Sequence, residues 1–72
     1  MQNLELFAYR VKKLRKQRGL NQKELGEVIG LTAKSICTIE NGTSSTTIEK
    51  LILLAQFFEV STDYLLGLKD EP

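Results

Sequence analysis

A chain of 72 residues with 42% apolar side chains supports one compact domain, which buries only about 60% of its unfolded surface, and is too apolar to remain disordered. One cysteine and no histidine exclude a disulfide framework within the chain and leave no zinc site; no apolar run reaches membrane-span length, and Met1-Gln2-Asn3 starts neither a signal peptide nor a myristoylation site. The net charge of +1 conceals an asymmetry: residues 1–36 hold eight Lys/Arg against three Asp/Glu, and residues 37–72 hold two against six, which suggests one face for a polyanion and another turned away from it.

The first helix is expected over Asn3 to Arg18. Asn3 is its candidate cap, and Glu5 lies in the first turn, where an acid suits the helix dipole. Leu4, Phe7, Val11 and Leu14 recur along one face. Arg10, Lys12, Lys13, Lys16 and Arg18 occupy the other faces and gather toward the end that Gly19 closes. The dipole alone accounts for such a basic end; a nearby phosphate backbone is the compatible functional reading. Arg15 follows Leu14 at the edge of the core.

Asn21 to Glu40, NQKELGEVIGLTAKSICTIE, reads as two short helices joined by a tight turn. Asn21 caps the first, with Glu24 placed to reach back to the cap's own N–H. Leu25, Val28 and Ile29 form its expected inner face. Gly26 puts no side chain on a helical position, a cost of about 1 kcal/mol that makes sense if a second helix crosses close by. Gly30 is suited to a left-handed exit. Thr32 caps the next helix, with Ile36 and Ile39 inward and Ala33, Lys34, Cys37 and Thr38 outward. Cys37 reads as a small filler more readily than as a redox sensor or dimer crosslink.

Asn41 to Thr46 is a polar loop, with Asn41-Gly42 as the exit from the helix. Thr46-Thr47-Ile48-Glu49 has the capping-box pattern and opens a helix through about Phe58. Ile48, Leu51, Leu54, Ala55 and Phe58 make its expected inner face. Leu53 and Phe57 lie nearly opposite, as a partner surface or as packing against the last helix. Ser61 caps the last helix, Asp63 sits in its first turn, Leu65 and Leu66 are partly buried, and Gly67 ends it. Residues 68–72 are expected to fray. No repeat, linker or low-complexity segment is present.

Leu20-Asn21-Gln22, Gly26 with Gly30, Glu40-Asn41-Gly42 and Val60 to Gly67 (VSTDYLLG) resemble the Cro/repressor class of helix-turn-helix DNA-binding domains, the XRE family, from about Leu4 to Gly67. The resemblance implies an all-α, lambda-repressor-like domain of five short helices filling 1–72, with the helix-turn-helix at about 21–40. It implies a cytoplasmic, nucleoid-associated regulator, a repressor in the sense of that family, working as a homodimer on a two-fold operator with half-site centres about 34 Å apart. It also implies that Arg15 pairs with Glu40, fixing one helix against another. The chain departs from the pattern in its loop, which has hydroxyls where many relatives carry Lys or Arg and a proline, and at Glu59, where many relatives have glycine or asparagine, so that the resemblance implies a strained left-handed residue there.

The expected division of labour follows. Thr32, Ala33, Lys34, Cys37 and Thr38 face the bases: Ala33 suits a thymine methyl, and Lys34 can donate to guanine O6 or N7. Asn21, Gln22, Lys23, Ser35, Asn41, Thr43 and Ser44 hold phosphates and carry no sequence information. Leu53, Phe57, Leu66 and Leu68 form the dimer contact. The alternative is an antitoxin-like or anti-repressor module of the same fold whose main partner is a protein. An enzyme has little support, with no histidine, no nucleophile–base pair and no glycine-rich phosphate loop; no cofactor, metal or membrane partner is expected.

Overall fold

The computed structural model of the protein describes residues 4–72. They form five helices: α1 (Leu4–Gln17), α2 (Gln22–Ile29), α3 (Ala33–Glu40), α4 (Ile48–Phe58) and α5 (Thr62–Leu66), with no strand among the described residues. The expected cap Asn3 lies outside those residues. Each of the other helices starts on the residue type that satisfies a free N–H. Asn21, Thr32, Thr47 and Ser61 accept from the N–H three residues on. α2 carries the full capping box, since Glu24 also accepts from the Asn21 N–H at 2.9 Å.

The core is one cluster in which Val11, Leu25, Ile36, Leu54 and Leu65 are fully buried. α1 packs on α3 and α5, α2 on α3, and α4 on α5 and α2. At about 1.5–3 kcal/mol for each buried Val, Leu or Ile, this cluster is what offsets the entropy of ordering so short a chain. No helix among the described residues is long and apolar enough to cross a membrane.

Several expectations need correction. Val28 is 53% exposed; the inner face of α2 is Leu25, Gly26 and Ile29, and Val28 lies roughly 100° round the helix from it. Ile48 is 75% exposed. Thr47, not Thr46, is the α4 cap, so Ile48 opens the first turn with no core beside it. Lys50 rather than Glu49 then takes the third helical place, and the box cannot close. Leu65 is fully buried, while Leu66 lies on the surface.

Arg10 is buried, not part of the solvent-facing basic set. Its Nη1 donates to the Tyr64 carbonyl and, at 2.7 Å, to the Lys69 carbonyl. Its guanidinium lies 4.1 Å from the centre of the Tyr64 ring, and its Nη2 approaches Asp70 Oδ1 at 3.5 Å. The segment expected to fray is thus tied back to α1, and the Ser61 N–H also donates to the Pro72 carbonyl at 3.0 Å.

Candidate nucleic-acid interface

The turn between α2 and α3 is made by backbone contact. The Gly26 carbonyl accepts from the N–H groups of Gly30 and Leu31, both at 2.8 Å. A Cβ on Gly26 would stand 2.3 Å from the Leu31 carbonyl oxygen. The close neighbour expected at Gly26 is therefore the turn itself, leading into α3, rather than the body of a second helix. Gly30 takes φ 81°, ψ 34°, the left-handed exit.

α3 is held in place from its inner side. Ile36 and Ile39 are buried in the core, and Glu40 is only 9% exposed. Arg15 reaches from α1 to Glu40 in a two-point pair, Nε to Oε2 at 2.6 Å and Nη2 to Oε1 at 2.8 Å. Its third donor, Nη1, serves the Leu20 carbonyl at 2.7 Å. Gln22 Nε2 adds a bond to Glu40 Oε1 at 3.2 Å. α1, the start of α2 and the end of α3 are therefore tied at one carboxylate. Donating hydrogen bonds to the Glu40 carboxylate holds the Arg15 guanidinium above its ordinary pKa, against an opposing push from burial.

The outer side of α3 is unequal in what it offers. Ala33 and Lys34 are exposed, and Cys37 and Thr38 are half-buried. The Thr32 hydroxyl accepts from the Ser35 N–H at 3.0 Å and bonds the Ser35 hydroxyl. The Thr38 hydroxyl donates to the Ser35 carbonyl at 2.9 Å and accepts from Ser44 Oγ at 2.9 Å. Thr43 Oγ1 donates to the Thr38 carbonyl at 3.1 Å. A hydroxyl has one proton. The protons of Thr38, Thr43 and Ser44 are therefore engaged inside the protein, and phosphate oxygens only accept.

Of the expected phosphate group, Asn21 uses its side-chain oxygen on the Glu24 N–H at 2.7 Å. Gln22 is half-buried, Lys23 is exposed beside it, Ser35 is half-buried, and Asn41 is exposed with Nδ2 3.6 Å from Cys37 Sγ. Sequence reasoning missed a cleft of about 530 Å³ between the starts of α3 and α4, lined by Ser35, Thr38, Ser45, Thr47 and Lys50 among others. Lys50 lies against Gly30. No local pattern in the sequence signals it, because Gly30 and Lys50 meet only in the folded chain.

The expected dimer residues do not form one kind of surface. Leu53, Leu66 and Leu68 are exposed. Phe57 is half-buried, meets Phe58 edge-on at 5.1 Å, and lies under the Arg18 guanidinium at 5.1 Å. It belongs mostly to the edge of the core.

A capped helix, a glycine turn closed on its own backbone, and a second helix gripped on its inner side define a helix-turn-helix. The helix-turn-helix family profile matches residues 11–65, and the chain belongs to that family, in its Cro/repressor (XRE) type. It is 36% identical over 67 residues to the uncharacterized HTH-type transcriptional regulator YobD of Bacillus subtilis, covering 93% of this chain and 60% of that protein. It is 37% identical over 57 residues to the antitoxin PezA of Streptococcus pneumoniae, covering 79% of this chain and 36% of that protein. The chain thus spans 60% of the length of the first relative and 36% of the second. Among solved structures, the P22 c2 repressor in complex with a synthetic operator superposes with a TM-score of 0.84 at 28% identity, covering 89% of this chain and 97% of that one. The restriction-modification controller protein C.AhdI of Aeromonas hydrophila gives 0.77 at 25% identity, over 88% and 91%. The chain shares the lambda-repressor-like fold of the P22 c2 repressor.

Proposed function

We propose that this protein is a transcriptional regulator that binds duplex DNA sequence-specifically, with α3 in the major groove and two copies on a two-fold site. One observation carries the reading. α3 is locked from behind by the Glu40 network, while Ala33 and Lys34 stand free on its outer side. A helix so held and so exposed suits base reading. The likeness to a repressor solved with an operator supports it.

In this proposal Lys34 and Ala33 read bases, and Thr32, Cys37 and Thr38 shape the groove-facing side. Asn21, Gln22 and Lys23 hold a phosphate at the start of α2, where free N–H groups and the positive dipole end converge. Asn41 and Ser35 flank the opposite end of the footprint. Lys50 and the exposed hydroxyls of the cleft supply the second phosphate site, and Thr43 and Ser44 shape the loop. Leu53, Leu66 and Leu68 form the contact between copies, in a cytoplasmic, nucleoid-associated protein. Selection from random duplexes tests all of this together: a palindromic site is expected, and failure to enrich any sequence counts against it.

The second reading is an antitoxin-like module whose surface contacts a protein. The PezA similarity and the exposed leucines favour it. Affinity for mixed-sequence duplex separates the two, since phosphate-driven binding falls steeply with added salt.

A further inference from the structure

The structure redistributes the positive charge of the first half of the chain. Arg10 and Arg15 are buried in bonds within the fold. Arg18 lies over Phe57 and Phe58. Of the remaining lysines, Lys23 and Lys34 belong to the helix-turn-helix. The other three, Lys12, Lys13 and Lys16, are exposed together on α1. With Tyr9 they line a shallow groove of about 350 Å³. Tyr9 is 61% exposed, and the Lys13 ammonium sits 6.0 Å from its ring centre.

This stripe is not on the proposed reading side. At 3.6 residues per turn, Tyr9 and Lys16 lie nearly half a turn round α1 from Phe7 and Val11. The inner side of α1 packs on α3 and carries the Arg15–Glu40 pair. A duplex on the outer side of α3 therefore has α3 and then α1 between it and the stripe. The dipole accounts for Lys16 in the last turn, but Lys12 and Lys13 are mid-helix. Among the described residues the ion pairs are Arg10–Asp70 and Arg15–Glu40, so the three ammonium groups have no carboxylate partner. Glu5, one turn before Tyr9, confines the positive field to the later turns.

We propose that the Tyr9, Lys12, Lys13 and Lys16 face of α1 is a second polyanion site that holds the phosphate backbone of another duplex segment while α3 occupies the first. The inference rests on the duplex-binding reading and extends it from occupying DNA to bridging it. Lys12 and Lys16 are about 6 Å apart along the helix axis, the length over which one DNA strand presents about two phosphates. The groove is shallow and built from lysine stems and one ring. It offers ammonium groups and the Tyr9 hydroxyl to acceptors and no deep apolar pocket for a protein anchor.

The test uses the full chain, a biotinylated 20-base-pair mixed-sequence duplex on beads, and a fluorescent 40-base-pair mixed-sequence duplex in solution. The wild type is expected to hold both. The triple variant Lys12→Gln/Lys13→Gln/Lys16→Gln, checked for unchanged helicity, is expected to hold the bead duplex within about two-fold and to lose about ten-fold of the second, with the log–log salt slope of that capture smaller by about 2–3. Equal capture by the variant overturns the proposal. Parallel loss of both duplexes overturns it too, because the stripe would then serve the first duplex. DNA-free association of the wild type that the variant abolishes assigns the stripe to an acidic surface of a second copy, which also overturns it. A wild type that fails to hold even the bead duplex removes the duplex-binding reading and this proposal with it, a result distinct from the other three.

Discussion

Glu59 carries the left-handed exit of α4, at φ 58° and ψ 45°, with a side chain where glycine has no steric cost. Glu59→Gly should raise stability by about 0.5–1 kcal/mol, because relief of that strain outweighs the added freedom of the unfolded chain. The expected sign is a higher urea midpoint at unchanged slope; a lower midpoint would mean that the glutamate makes a compensating contact. Lys34 and Asn21 make a contrasting pair. Lys34→Ala should flatten preference at one or two operator positions, where a good base contact discriminates by about 1–3 kcal/mol. Asn21→Ala should weaken all sequences alike, since it removes an N-cap at the proposed phosphate site. Binding across single-base operator variants decides between them, and a uniform loss for Lys34→Ala would place that lysine on a phosphate.

At the scale of the elements, the Arg15–Glu40–Gln22 network is what orients α3. Breaking the buried pair from one side should cost about 3 kcal/mol, because the other charge is left without compensation. The double variant Arg15→Met/Glu40→Leu should recover much of that loss. Strictly additive effects of Arg15→Ala and Glu40→Ala in a double-mutant cycle would show the pair to be uncoupled. The guanidinium's raised pKa sets the sign on the alkaline side. Its contribution is fully present below the ordinary arginine value and is lost only as pH climbs through the raised one. Gly26→Ala should cost about 1–3 kcal/mol, since its Cβ would meet backbone at the turn, which cannot swing aside as a side chain can.

The caps at Asn21, Thr32 and Ser61 and the left-handed exit at Gly30 were legible in the sequence because their chemistry is complete within a few residues; the left-handed Glu59 was legible only through the family resemblance. The rest was not legible, for three physical reasons. Val28 and Ile48 fit a helical period, but period alone does not fix where the face is centred. Thr46 and Thr47 are equally good caps in sequence, and the choice between them moves the whole first turn. The burial of Arg10 depends on carbonyls 54 and 59 residues away. At the interface, which residues face outward on α3 could be read from spacing. Which hydroxyl protons are already taken could not, because Thr38, Thr43 and Ser44 satisfy one another across the loop.

For the molecule as a whole, the exposed leucines after α3 set the expectation for assembly. Leu53→Lys with Leu68→Lys should shift sedimentation toward a single copy and lower the cooperativity of binding to a two-fold site, with the helical spectrum unchanged. Phe57→Lys is a poorer probe, because Phe57 is packed against Phe58 and covered by Arg18. An unchanged sedimentation profile in the leucine double variant would move the contact elsewhere.

The Arg10 clasp also bears on the order in which the fold is made. α2 and α3 meet through a turn of three residues and can find each other early. Arg10, by contrast, must wait for carbonyls at Tyr64 and Lys69, so its bonds close a loop that spans most of the described residues, and their entropic cost falls late. Arg10→Met should then leave the refolding rate nearly unchanged and speed unfolding, placing the clasp beyond the transition state. In kinetic terms the clasp is a latch, setting how long the native state lasts once formed and leaving the speed of its formation to the helix-turn-helix.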